Sequence, residues 1–379
     1  MKSLLFLVVS VFAFSVTSAQ NFVIKNVTVF DGEKLIEKTS VLVENGMIVR
    51  VAPKINSNSE VIDGNGKFLM PALTNSHVHA FSALSLNEAA SAGVLQVFDM
   101  HGMEPYQRQM QETFKDSTNY ADFYYAGSAA TAPGGHGTQF GFPAPTLTMV
   151  AEATDFIDKR IEAGASYIKI IVEPWKETLS HYVVKELIEV AHRKDKIAVV
   201  HVSKLDDAYQ VLSNGADGLV HVWWDLPITQ EEIEVLKSKN EFFVIPTLLT
   251  SHLALEAIRK SSPTNNFMTN EAITAEAKKL YDAGIPLLAG TDPPNAQINY
   301  GTDLYREMVL FSKAGIPNIE VLKTATSNPS KYFGLKDMGY IKEGFKANML
   351  LLDESPIDKM DNMKTITTIW KMGKEVDRN

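Results

Sequence analysis

The middle of the chain alternates between two kinds of segment. Short apolar runs recur at Leu69–Leu73, Val94–Phe98, Phe123–Ala126, Tyr167–Val172, Ile197–Val202, Gly218–Val222, Phe242–Leu249 and Pro286–Ala289. Between them lie amphipathic stretches with helical spacing, such as Thr154–Ala163, Val183–His192, Leu205–Leu212, Glu231–Lys239 and Ala272–Ala283. A short unbroken apolar run reads as a strand buried on both faces. Strands separated by helices pair in parallel, because a parallel connection needs a crossover. Eight such units predict an α/β fold of the closed (β/α)8 TIM-barrel kind, with an open doubly wound sheet as the alternative. No Gly-x-Gly-x-x-Gly follows a first strand, so a dinucleotide fold has no support.

The two ends follow another pattern. From Asn21 to about Lys67, β-type runs such as Val27-Thr28-Val29-Phe30 and Val41-Leu42-Val43 are separated by turn pairs that include Asp31-Gly32 and Asn45-Gly46. Ala347 to Leu352 and Thr365 to Met372 repeat this character. Strand-rich segments at both ends predict a small β-sandwich closed by both termini. Residues 1–19 read as a secretory signal: Lys2, an apolar run from Leu4 to Val16, then Thr17-Ser18-Ala19. The expected organisation is a signal peptide at 1–19, sandwich at 20–67, barrel at 68–338 and sandwich at 339–379.

Removal of the leader, whose one charge is Lys2, takes the formal net charge from -9 to about -10. A mildly acidic protein is a poor partner for nucleic acid or an anionic membrane surface. The expected location is outside the cytoplasm, periplasmic or secreted, and the expected partner is a small-molecule substrate. The oligomeric state, a homo-oligomer included, is left open. The chain has no cysteine, so it carries no disulfide, and any metal site must use His, carboxylates or Lys.

Such residues stand at the ends of the apolar runs. His77 and His79 follow the first, and residues two apart on a strand share a face. Lys169 lies in the fourth run, His201 ends the fifth, His221 the sixth and Asp292 the eighth. Each has an ordinary explanation when taken alone. A His-x-His pair occurs in surface turns, a lone His at a strand end usually packs, a Lys there pairs with a neighbour such as Glu173, and Asp292 before Pro293-Pro294 suits a turn. Together and in order they fall where a parallel barrel places its active site, at the C-terminal strand ends.

The ordered set resembles the amidohydrolase superfamily, in its imidazolonepropionase-like and prolidase-like branch. The lead-in Gly64-Asn65-Gly66-Lys67 to Pro71 and the segments Thr326-Ser327-Asn328-Pro329-Ser330 and Gly339-Tyr340-Ile341-Lys342-Glu343-Gly344 share the likeness. The resemblance implies an exported metal-dependent hydrolase of an amide or cyclic-amide C–N bond in a small molecule. It implies two divalent metal ions, zinc first, although Mn, Fe, Co and Ni suit the same ligands. By this resemblance His77, His79, Asp292 and a carbamate on Lys169 hold the first ion. The carbamate, His201 and His221 hold the second. A hydroxide bridges them, and Asp292 carries its proton to the leaving nitrogen. The same likeness gives His136, in Pro133-Gly134-Gly135-His136-Gly137, contact with a substrate carbonyl or carboxylate.

His101 is expected in a supporting place behind the ligands, and Trp223 and Trp224 as a wall of the pocket. His181, His192 and His252 are expected at the surface. Three positions depart from the family pattern: Asn75 and Asn348 stand for Asp, and Phe98 for Arg. Trp223-Trp224 after His221 does not match a peptidase pattern, which counts against a dipeptidase. A lactonase, esterase or dipeptidase on the same site, and a silent barrel acting as a binding protein, are the alternatives.

Overall fold

The computed structural model describes residues 21–262, 264 and 266–378. The signal expected at 1–19 lies outside the described residues. The strands are β1 (Phe22–Phe30), β2 (Leu35–Glu44), β3 (Met47–Ala52), β4 (Glu60–Asp63), β5 (Phe68–Pro71), β6 (Leu73–Val78), β7 (Val94–Asp99), β8 (Asp122–Tyr125), β9 (Ile168–Ile171), β10 (Ala198–His201), β11 (Gly218–Val220), β12 (Phe243–Ile245), β13 (Met349–Leu352), β14 (Ile366–Lys371) and β15 (Lys374–Glu375).

Strands from both termini build one eight-stranded sheet in the order β15-β14-β13-β5-β1-β2-β3, with β4 against β1. The β2–β3 turn uses Asn45 and Gly46, both at positive φ, as the Asn-Gly pair leads one to expect. β5 runs parallel to β1 and antiparallel to β13, so the first and last parts of the chain interlock. Phe22, Ile24, Val43, Leu69, Met349 and Trp370 form its core.

The middle of the chain gives two parallel sheets, β6-β7-β8 and β9-β10-β11-β12. Backbone hydrogen bonds join their edges. On one side Ser166 N donates to Tyr125 O (2.8 Å), and Ala130 N to Lys169 O (2.8 Å). On the other, residues 286–289 lie between β12 and β6. Val244 N donates to Pro286 O (3.0 Å), Leu288 N to Val244 O (2.9 Å) and Ser76 N to Ala289 O (2.8 Å).

Three apolar runs end differently from expectation. The first divides at Ala72, whose N–H bonds Asn348 O while Leu73 N bonds Gly93 O. Backbone partners therefore switch there from the terminal sheet to the parallel one. The run Phe242–Leu249 is a strand only to Ile245, because Thr247 takes φ 47° and a helix begins at Leu248. The run 286–289 forms only a single bridge, Val244 to Leu287, and is not a full strand. Pro286 has no N–H to give to a ladder.

Inward-facing side chains alternate along these strands. Phe98, Tyr167, Val199, Val220, Phe243 and Leu288 pack on one another, and Phe333 stacks on Phe98 at 3.9 Å. Phe98, the departure from the expected Arg, is thus a core residue. Outward-facing residues such as Ile168, Ile170 and Val200 pack under the helices. The helices sit close to their expected positions. Ser180, Thr229 and Thr269 cap the helices that follow them; Thr229 Oγ1 accepts from Glu232 N while Glu232 reaches back to Thr229 N. Among the described residues no helix is long and apolar enough to cross a membrane.

One ion pair ties the terminal sheet to the rest. Lys371 on β14 is fully buried, and its Nζ meets Asp122 Oδ1 (2.7 Å), Ser117 O (2.9 Å) and Tyr120 O (2.5 Å). Lys371→Met keeps the stem but leaves a half-buried carboxylate and two carbonyls unpaired. It should cost about 3 kcal/mol. The check is a lower urea midpoint at constant m-value; an unchanged midpoint would show that the pair contributes nothing to stability.

Candidate metal centre

β6 runs directly into the site. Asn75 Oδ1 accepts from His77 N (3.2 Å) and Thr291 N (3.1 Å), and Asn75 Nδ2 donates to Thr291 Oγ1 (2.7 Å). Asp292 N donates to His77 O (2.8 Å). At Gly290 a Cβ would come within 2.5 Å of Ile245 Cγ2 and 3.0 Å of the His77 Cβ. Only glycine allows the 289–292 segment to lie this close to β6. Asp292 follows at φ 58°, and its carboxylate turns back to the histidines.

The result is a tight cluster. His77 Nε2 and His79 Nε2 lie 3.3 Å apart, and Asp292 Oδ1 is 3.2 Å from the first and 3.0 Å from the second. Asn295 Nδ2 donates to the same oxygen at 2.9 Å. His221 lies beside His77, ring centroids 5.1 Å apart, and His201 beside His221 at 4.6 Å. Lys169 projects inward from β9, in the same alternating row as Tyr167 and Ile171. All six expected ligands line one cavity of about 500 Å3.

The donor chemistry suits a metal ion. Burial, and then basic neighbours, hold His77, His201 and His221 well below the ordinary imidazole range. Neutral rings have lone pairs to give. Thr247 Oγ1 donates to Pro246 O, so it accepts from His221 Nδ1 (2.5 Å), which leaves the His221 Nε2 lone pair free. Burial pushes Asp292 up, but the His79 bond and charge, the His221 charge and the Asn295 bond together outweigh this and hold it below the usual carboxylate range. Burial likewise lowers His79, and the Asp292 bond and charge raise it above its ordinary value. Lys169 Nζ is buried with no hydrogen-bond partner among the described residues. Burial drives it down to about 7, against a smaller upward pull from Asp292. An unpartnered buried amine is costly and favours its neutral form. His77, His79 and Asp292 form a group able to hold a metal ion as they stand.

The remaining expectations divide. His136 lines the cavity, its ring 5.0 Å from that of His201. Its Nδ1 accepts from Gln139 Nε2 (3.2 Å), so the neutral ring carries its proton on Nε2. His101 also reaches the lining. It accepts from Ala129 N at Nδ1 (2.9 Å) and donates from Nε2 to Gly137 O (3.1 Å), which anchors the His136 loop. Trp224 lines the cavity, but Trp223 does not: it is core, and its Nε1 donates to buried Glu276 (3.1 Å). His192 is exposed against Asp217, whereas His181 and His252 are half-buried outside the cavity.

The sequence suggests Glu173 only as a partner for Lys169. It instead meets His201 Nε2 (Oε2, 3.0 Å) and accepts from Ser203 Oγ (Oε1, 2.7 Å). The signal was present: residues 169, 171 and 173 share a parity, so all three point inward. Asn295 and Thr247 were not foreseen, since an Asn in a loop and a Thr after Pro246 carry no periodic signal.

Comparison with known proteins follows this geometry. Residues 68–376 match the amidohydrolase family. A 5-methylthioadenosine/S-adenosylhomocysteine deaminase of Pyrococcus furiosus is 24% identical over 387 aligned residues, covering 87% of this chain and 86% of that protein. The ochratoxinase of Aspergillus niger is 21% identical, over 76% of this chain and 66% of that one. The crystal structure of a Xaa-Pro dipeptidase with bound methionine shares the fold, with a TM-score of 0.80 at 17% identity over 94% of this chain and all of that one. Because the match takes in the parallel sheets, the cluster of donors and the returning strands alike, the chain belongs to the amidohydrolase family of metal-dependent hydrolases.

Proposed function

We propose that this protein is an exported enzyme that hydrolyses an amide or cyclic-amide C–N bond of a small molecule at a two-metal site. The observation that carries the reading is the meeting of His77 Nε2, His79 Nε2 and Asp292 Oδ1 beside the unpartnered Lys169 amine. The edge-joining hydrogen bonds support a closed (β/α)8 barrel around it, flanked by a sandwich of both termini. The deaminase and ochratoxinase similarities point to carbon–nitrogen bonds rather than esters. Export rests on residues 1–19 alone.

His77, His79 and Asp292 would hold one ion, and His201 and His221 the second. A carbamate on Lys169 would serve both. It forms when the neutral Nζ attacks CO2 and releases one proton, which turns a repelling amine into a two-oxygen ligand. When bound, divalent metal lowers the pKa of water to about 7 and so supplies a nucleophile at neutral pH. The chain's own groups do the rest. His136 donates from Nε2 to the scissile carbonyl oxygen as charge grows there. Asp292 takes the proton of the attacking water on its carboxylate and returns it to the leaving nitrogen. Asn295 fixes one oxygen of that carboxylate. Phe140 and Trp224 keep bulk water out.

Screening zinc- or manganese-loaded protein against N-acyl amino acids, neutral carboxamides, cyclic amides and lactones tests the reading. Amide turnover is expected, with up to two metals per chain by elemental analysis. No bound metal, and no activity on adding either ion, would end it. Turnover confined to lactones would favour the esterase alternative.

Lys169→Ala should lose at least the second metal and nearly all activity, with partial rescue by short carboxylates. Normal metal content and rate would remove the carbamate from the reading.

Asp292→Asn should lower kcat by orders of magnitude. His136→Ala should lower kcat/KM by about 2–4 kcal/mol at normal metal content. Metal loss in the His136 variant would make it a structural support instead, and an unchanged kcat/KM a turn residue.

A further inference from the structure

Charge is distributed unevenly around the cavity. Outside the six ligand residues, Glu173 is the one side chain of formal charge among the described residues that line it. Among the described residues no arginine lines the cavity, and the one lysine is Lys169. His136 Nδ1 accepts from Gln139 Nε2 and His101 Nδ1 from Ala129 N, so each ring is bonded as a neutral imidazole and brings no positive charge. Lys204 is not part of the lining. The rest of the lining is uncharged: apolar Phe140, Trp224, Leu253, Ala254 and Ala257 beside the neutral polar Gln139, Ser203, Thr250 and Asn295.

Glu173 is itself firmly placed. Only 8% exposed, it accepts from Ser203 Oγ, which in turn accepts from Trp175 Nε1 at 2.9 Å. A carboxylate on a substrate, held in this wall away from the metal ligands, would have to shed its water, find no lysine or arginine to pair with and lie near a fixed carboxylate. Burying an unpaired charge costs far more than apolar contact returns. A neutral group meets none of these penalties, and a substrate N–H gains an acceptor in Glu173.

We propose that this wall selects amides without a carboxylate beside the scissile bond, and that Glu173 is the residue that sets the preference. The proposal rests on the hydrolase reading above and narrows its substrates. Dipeptides and N-acyl amino acids are disfavoured; neutral amides bearing an apolar or aromatic group are preferred.

A matched pair tests it: N-phenylacetylglycinamide and N-phenylacetylglycine, which share a scissile bond and differ by one negative charge. With zinc-loaded protein, kcat/KM for the glycinamide should be higher on the order of 100-fold. Leu253→Arg, at a half-exposed position of the wall, and Glu173→Gln should each narrow the ratio at least about tenfold, mainly through KM of the charged member. A wild-type ratio near one, or in favour of the carboxylate, overturns the proposal. So does a ratio that neither variant moves. If neither compound is turned over, the same pair is titrated by tryptophan fluorescence. Tighter binding of the glycinamide then supports the selectivity even if the hydrolase reading has failed on the wider panel. Equal binding, tighter carboxylate binding or no binding overturns it.

Discussion

The site depends on one clasp between distant parts of the chain. The Asn75 side chain joins β6 to Thr291 by two hydrogen bonds, and Asp292 N bonds His77 O one residue further on. Gly290 lets the two backbones touch. Without this contact His77 and His79 would have no carboxylate opposite them. The clasp uses an amide rather than an acid. An amide both donates to the Thr291 hydroxyl and accepts from two backbone N–H groups, so it is satisfied without adding charge beside His77.

Neutral surroundings matter because so much basicity is confined here. Six imidazoles and an amine line the cavity against two carboxylates, Glu173 and Asp292. Protonated together they would repel one another in a place with little water. Burial resolves the conflict by taking protons away from His77, His201, His221 and Lys169. The same deprotonation makes them ligands, so the arrangement that would be unstable as a set of cations is coherent as a set of donors.

Much of this was legible before any coordinates. Strand and helix positions follow from apolar spacing, and the ligand set from residues that close apolar runs in a fixed order. What escaped had no period. The switch of sheets at Ala72 is decided by which carbonyls, Asn348 O or Gly93 O, are in reach, and both come from elsewhere in the chain. The early end of the seventh run comes from the left-handed turn at Thr247. Trp223 and Trp224 are neighbours with opposite fates, because backbone direction after His221 sends one to Glu276 and the other to the cavity. Glu173 shows the reverse case, a residue readable by parity but assigned to the wrong partner.

The interlocked termini bear on how such a chain reaches its fold. Lys371 closes contacts to Ser117 and Tyr120 across 254 and 251 positions, and β13 pairs with β5 across a similar span. Helix-and-strand units in the middle can form from local contacts as they emerge. The terminal sheet cannot, because its central strand β5 waits for β13. Pairings of such sequence separation are slow to form, and their edges stay open meanwhile. In a chain made N-terminus first, β1 to β5 can pair among themselves at once, but the edge of β5 that takes β13 stays open until the last strands arrive. Protection of that edge, rather than the rate of helix formation, would then set the yield of folded protein.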